Sequence, residues 1–125
     1  PLLSTLLDFC TVNEVIVIEV LDEPGHGGAC HNYRISGLKG PLDHHPIPTI
    51  EVRFQNGPLK EVGTNGITHE SLLAILIDRL EGFQSGQYAC EENGVALDAC
   101  RLAQTTLKSR TEKRLARGVE GTHTV

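Results

Sequence analysis

Two long helix-forming runs, joined by a short break bracketed by Gly82 and Gly86, constrain this chain more than any other feature. The first opens at Thr68, a good N-cap because its hydroxyl can accept from a free first-turn N–H. Ile67 and Leu72 hold the positions of a hydrophobic staple, and Glu70 lies in the first turn. Leu72, Leu76, Leu80 and Phe83 then recur at helical spacing, widened by Leu73 and Ile77, and the run ends near Gln84. Gly86 suits the turn that follows. The second run reads as a helix from about Tyr88 to Arg117, stopped by Gly118-Val119-Glu120-Gly121. Ala89, Ala96, Ala99, Ala103 and Leu107 are expected to face the first helix, where small side chains permit close approach. The result is a helical hairpin.

The first half of the chain follows another period. Asn13–Glu23 (NEVIVIEVLDE) is rich in β-branched residues and reads as a strand covered on both faces. Pro24-Gly25-His26-Gly27-Gly28 is a turn, and Cys30–Ser36 returns as a second strand with a loose glycine loop between them. Gly37–Pro48 is a Gly- and Pro-containing loop. In Thr49–Gln55, Ile50, Val52 and Phe54 alternate with Glu51, Arg53 and Gln55, the pattern of a half-buried antiparallel strand. Asn56-Gly57 signals a tight turn, with Pro58–Val62 as a short return strand. Pro1–Val12 is an apolar lead-in, either a strand or an irregular arm; it lacks the basic region and cleavage site of a signal peptide. The expected fold is therefore α+β: an N-terminal antiparallel β region over 1–66, a helical hairpin over 67–118, and a tail over 119–125, in a single domain.

The net charge of −5 argues against general binding to DNA or RNA. Of the eleven basic side chains, however, Arg101, Lys108, Arg110, Lys113, Arg114 and Arg117 fall within residues 101–118, against Glu112 alone. Such a patch can hold phosphates, although cations also favour a helix C-terminus for purely local reasons. No apolar run is long enough to span a membrane. The four cysteines show no C-x-x-C spacing and read as free thiols, with Cys90 and Cys100 as small buried apolar residues.

Three residues stand out. Phe83 belongs to a leucine stripe, where a Phe is normally core, yet it lies in the last turn, where an aromatic face can stack a purine. Asn93 is a weak helix former near the start of the second helix; it is either solvent-facing or a ligand contact, and its amide offers both a donor and an acceptor. Arg110 can hold a phosphate bidentately. It lies seventeen residues beyond Asn93, about 25 Å along a helix. One protomer's pair cannot grip the same small molecule, so either two subunits share a pocket or two pockets exist. His26, His31, His44 and His45 lie in loops without metal-ligand spacing, and no nucleophile, phosphate-loop or dinucleotide motif is present. No catalytic residue, metal or cofactor is expected.

The blocks FQNGP (54–58), NGIT (65–68), LLAILIDRLEGFQSG (72–86), CEEN with AL (90–97), RT (110–111) and RGVEGTH (117–123) resemble a family of small phage proteins. These are the Thoeris anti-defence sponges of the first type, which share a helical hairpin with the anti-CBASS sponges. The resemblance implies a non-enzymatic protein that sequesters a nucleotide second messenger of bacterial immunity in the cytoplasm of the infected host. The messenger would be a cyclic ADP-ribose isomer, with cyclic di- or trinucleotides as further ligands at separate sites. It also implies a homo-oligomer, built from dimers up to hexamers. Phe83 would stack the adenine, Asn93 would hydrogen-bond the ligand and Arg110 would contact phosphate, with Arg114 of the basic cluster beside it. A basic partner from the sheet region is expected, with Arg53 and Lys60 as candidates. The competing readings are a ligand-free structural or oligomerisation adaptor and, well behind, a nucleotide hydrolase using the loop histidines.

Overall fold

The computed structural model describes residues 4–5, 16–37 and 48–125. The expectations for most of the lead-in, for the first residues of the 13–23 strand and for most of the 37–48 loop, His44 and His45 included, lie outside the described residues. Contacts gather the chain into two units: residues up to Gly57 with Thr64–Ile67, and Pro58–Gly63 with Thr68–Val125.

The first unit is a sheet in which β1 (Ser4–Thr5), β2 (Ile16–Val20), β3 (Asn32–Gly37) and β4 (Ile50–Arg53) lie side by side in chain order, each antiparallel to its neighbour. Ile18 stands opposite Ile35 and Val20 opposite Tyr33, so β-branched and aromatic side chains meet across the strands. Glu19 pairs with Arg34 at 3.2 Å in the same register. β2 was expected to be covered on both faces; within this chain it is half-buried, and of its residues only Val20 is buried.

The glycine loop between β2 and β3 is not loose. The Asp22 carboxylate accepts the backbone N–H groups of His31 at 2.9 Å and Asn32 at 3.1 Å. The Cys30 thiol donates to the Asp22 carbonyl. His31 is buried, and its Nε2 lies 3.0 Å from the His26 carbonyl, which requires the proton on that nitrogen. The His31 N–H bond, followed by that of Asn32, holds the Asp22 carboxyl below the usual carboxylate range against the opposing effect of burial.

β4 ends in an irregular corner that fixes the edge of this unit. Ile67 donates to the Arg53 carbonyl and accepts from Gln55 N–H, both at 2.8 Å, making a parallel bridge between Phe54 and Ile67. Gly66 is obligatory here: a Cβ would overlap the backbone of Phe54 and Gln55. The Asn65 amide bonds both backbone groups of Asn56.

The return strand expected at Pro58–Val62 does not form. Residues Leu59–Val62 make a one-turn helix, α1, with Pro58 as its N-cap. The Pro58 carbonyl accepts from Glu61 and Val62, while the N–H that proline lacks is one the start of a helix leaves unused anyway. Gly63, at φ +74°, closes the turn.

The helical hairpin pairs α2 (His69–Gln84) with α3 (Glu91–Ala116). Thr68 caps α2 as expected, in a reciprocal capping box with Ser71. The long connection corrects the expected start of α3 by three residues: Tyr88 and Ala89 belong to the turn, and Cys90 is the N-cap. Cys90 is exposed, not buried, and its Sγ accepts from Asn93 N–H at 3.4 Å. The covered line on α3 also differs from the alanine face. Asn93, Leu97, Cys100, Gln104, Leu107, Thr111 and Arg114 form a shielded line, spaced alternately four and three residues apart; Gly94, Ala103 and Ser109 are shielded beside it, while Ala89, Ala96 and Ala99 are exposed. A 3.5-residue repeat keeps one seam against a partner helix, and the alanines fall outside that repeat. On α2 the shielded residues are Glu70, Leu72, Leu73, Ile77, Leu80 and Gln84, while Leu76 and Phe83 turn outward.

Candidate functional site

The turn of the hairpin is organised by Gln84. Its Nε2 donates to the Cys90 carbonyl at 2.9 Å and its Oε1 accepts Cys90 N–H at 3.0 Å, so one amide closes both ends of the connection. Gly94 makes room for it: a Cβ there would sit 3.2 Å from Gln84 Nε2. A second tie between the helices, Arg101 to Glu81 at 2.6 Å, lies further along and is about half exposed on both sides. By locking the end of α2 to the start of α3, Gln84 brings Phe83 and Asn93 to the same end of the hairpin.

Phe83 lies in the last turn of α2 and is 38% exposed. The Arg79 guanidinium, one turn earlier, stands 5.0 Å from the centre of its ring. Together with Gly82, Gly86 and Tyr88 they line a shallow cleft of about 280 Å³ with no carboxylate in its wall. Gly82 has open space where a Cβ would be, so the cleft has a bare backbone floor at that point. Asn93 is half-buried in the first turn of α3, and its side-chain amide has no hydrogen-bond partner among the described residues.

The other expected contacts lie elsewhere. Arg110 is exposed on α3 and makes no ion pair or hydrogen bond among the described residues. Because α3 runs unbroken between them, the 25 Å separation from Asn93 stands. Arg114 is spent on the tail. Its Nε pairs with Glu120 at 3.2 Å, Nη1 donates to the Thr124 carbonyl at 2.7 Å, and Nη2 donates to the carbonyls of Val119 and Thr122. Its side chain is 13% exposed, which makes it a largely shielded clasp. Lys60 lies against the same tail: its N–H donates to the Gly121 carbonyl and its stem runs beside Gly121. His123 Nδ1 meets Glu61 at 2.6 Å. Arg53 belongs to the sheet unit, where it lines a separate cleft with Asn32, Tyr33, Glu51, Phe54 and Asn65, its guanidinium 4.0 Å from Glu51.

Reading the sequence residue by residue missed Arg79, Tyr88 and Gln84. The four-residue spacing from Arg79 to Phe83 is a signal that could have found the first. A glycine at position 94 inside a helix signals close approach, but only the folded turn reveals that Gln84 is what approaches. Among the described residues no three His, Cys, Asp or Glu side chains come together as a metal site, and no helix is long and apolar enough to cross a membrane.

These features define a class: an α+β protein with an antiparallel sheet in its first half and a two-helix hairpin in its second, with an aromatic cleft at the turn of the hairpin. Residues 46–112 match the family described as "Acb2/Tad1, hairpin domain", and the chain belongs to that family. It is also 38% identical over 99 residues to "Thoeris anti-defense 1" of Bacillus phage SBSphiJ7, an alignment covering 79% of this chain and 65% of that protein. The chain thus spans less than two thirds of that relative's length. The family read from the short motifs is the family found. Phe83, Asn93, Arg110, Arg53 and Lys60 fall inside the matched hairpin segment; Arg114 and the tail lie beyond it.

Proposed function

We propose that this chain is a phage anti-defence protein that binds and withholds a nucleotide messenger of bacterial immunity in the cytoplasm of the infected host. The messenger is a cyclic ADP-ribose isomer made by a TIR-domain enzyme, and the protein acts by stoichiometric capture without turnover. The observation that carries this reading is the exposed Phe83 at the hairpin turn, beside a guanidinium and on bare glycine backbone, within the segment that defines the family. An aromatic face of this kind stacks a base for about 1–3 kcal/mol. Capture at nanomolar concentration needs about −12 kcal/mol, which a shallow cleft on one chain cannot supply unless more of the ligand is enclosed. The protein therefore works as a homo-oligomer, a dimer or a hexamer, in which further contacts close over the messenger. Arg110 at the other end of α3, which has no side-chain partner among the described residues, serves a second pocket for cyclic di- or trinucleotides.

The test is thermal stability of the purified protein against a panel of cyclic ADP-ribose isomers and cyclic oligonucleotides, followed by heat release of the ligand. A large upward shift with the ligand recovered unchanged is expected, because a ligand bound only by the folded form stabilises it by mass action. Phe83→Ala and Asn93→Ala should abolish the shift for the ADP-ribose isomer. The alternative, an oligomerisation adaptor without a ligand, is favoured by one observation: Ile75, Val95 and Leu102 are 64%, 63% and 69% exposed on the hairpin. A folded oligomer whose melting point responds to no compound of the panel would establish it.

A further inference from the structure

We infer that Gln84 is a positioning residue for ligand capture: by bonding both backbone groups of Cys90, its amide holds Phe83 and Asn93 in their binding arrangement in the free protein. The inference rests on the messenger-binding reading and adds to it a residue that sets affinity through its neighbours. Successive side chains on a helix point about 100° apart. Gln84 accordingly reaches across to the start of α3 while Phe83 beside it stays exposed, so fixing the one fixes the direction of the other.

Neither helix end would hold its residue firmly unaided. The last turn of α2 contains Gly82, Gly86 follows it, and no residue of α2 is buried. Glycine inside a helix weakens it, and helix ends fray first. At the start of α3 the N-cap is Cys90, whose sulfur is a weak acceptor, and its bond to Asn93 N–H is long at 3.4 Å. Gln84 makes good both weaknesses with one planar amide, which donates to the Cys90 carbonyl at 2.9 Å and accepts Cys90 N–H at 3.0 Å. Gly94 leaves the space that this amide occupies. The other tie of the hairpin, Arg101 to Glu81, joins two side chains and bonds no backbone group of the turn. A binding arrangement populated only part of the time weakens the apparent affinity by that fraction. The Gln84 clasp keeps the fraction near one.

The experiment is calorimetric titration of the full chain with a cyclic ADP-ribose isomer closed between its two riboses, with helix content checked by circular dichroism. Two hydrogen bonds hold the turn, so Gln84→Ala and the similarly sized Gln84→Met should each weaken binding about five- to fiftyfold. Arg101→Ala should stay within about twofold, because an exposed ion pair contributes little. Gln84→Glu gives the readout that a general loss of stability would not. One carboxylate oxygen can still accept Cys90 N–H, but the other then faces the Cys90 carbonyl, acceptor against acceptor; once protonated, it donates there as Nε2 does. The deficit of this variant, taken as a ratio to the unsubstituted chain at each pH, should therefore close to about threefold or less as pH falls from about 7 to about 4. The flanking ionisable groups are common to both chains and cancel in that ratio: Arg79 and Glu81 on α2, Tyr88 and Cys90 in the connection, Glu91, Glu92 and Arg101 on α3. If Phe83→Ala abolishes binding while Gln84→Ala and Gln84→Met stay within twofold, the positioning role falls and the messenger reading stands. A Gln84→Glu deficit that is the same at every pH, or an Arg101→Ala loss as large as that of Gln84→Ala, also overturns the role. Normal binding by Phe83→Ala overturns the messenger reading itself and takes this inference with it.

Discussion

Replacing Gln84 by alanine isolates what holds the hairpin turn together. The substitution removes two hydrogen bonds, of 2.9 and 3.0 Å, from the backbone of Cys90. A protein hydrogen bond contributes about 0.5–1.5 kcal/mol net, and water can replace the lost partners because Cys90 is exposed. The expected loss is therefore about 1–2 kcal/mol, or a fall in Tm of roughly 3–10 °C for a chain of this size. The shorter Arg101–Glu81 contact should matter less. Its partners are 51% and 48% exposed, and such pairs contribute no more than about 1 kcal/mol. The sharper test adds Gly94→Ala. Alanine gains about 1 kcal/mol over glycine inside a helix, but with Gln84 present its Cβ presses on Nε2 at 3.2 Å. The substitution should thus be neutral or destabilising in the natural chain and stabilising in the Gln84→Ala background. Urea denaturation gives the four stabilities of this cycle, and hydrogen exchange at the Cys90 amide reads the lost bond directly. Additive effects within about 0.3 kcal/mol, with the Cys90 amide still protected, would refute the clasp.

Gly66→Ala should cost more than about 2 kcal/mol in chemical denaturation, because the new Cβ meets backbone that cannot yield without breaking the Phe54–Ile67 bridge. The Asp22 carboxyl titrates below its unfolded value, so its contribution is complete above the unfolded pKa and fades as pH falls through the lowered folded one. Tm measured from pH 6 down to about pH 2 should decline less steeply in Asp22→Asn than in the unsubstituted chain. Arg114→Ala breaks four contacts of a shielded guanidinium and should free residues 119–124 to exchange their amide hydrogens rapidly, at a stability cost of at least about 2 kcal/mol. Slow exchange in that variant would mean that the contacts of Lys60 and Glu61 with the tail suffice to hold it.

What the sequence revealed of this fold depended on whether local pattern or distant partners decided the outcome. The alternation in Thr49–Gln55 and the Thr68 cap are local, and both gave their elements, although the strand runs only over Ile50–Arg53 and leaves Ile50 exposed. The stretch from Pro58 to Val62 failed as a strand because the partner that pairs with the Phe54 corner is Ile67, thirteen residues on, leaving Pro58 to start a helical turn. The alanine face of α3 failed for a related reason. Small size permits contact but does not choose it, and the 3.5-residue seam through Leu97 and Leu107 turns Ala96 and Ala99 outward. At the candidate site, Phe83 drew notice by its place in the last turn of a leucine stripe and Asn93 as a weak helix former near a helix start, and the structure leaves the first exposed and the second half-buried. Arg114 looked like one more cation of a basic run, because nothing in the order of residues shows that the tail doubles back to surround it.

The length of α3 also insulates its two ends from each other electrically. The 25 Å between Asn93 and Arg110 is about three Debye lengths at physiological ionic strength. Within one protomer, a charge removed among the cations near Arg110 will hardly alter the potential at Phe83. Ionic strength therefore becomes a probe of the assembly: salt dependence of binding at the aromatic end reports the charges within a turn or two of that cleft and any that a second protomer brings to it, and not the cations at the far end of the same α3.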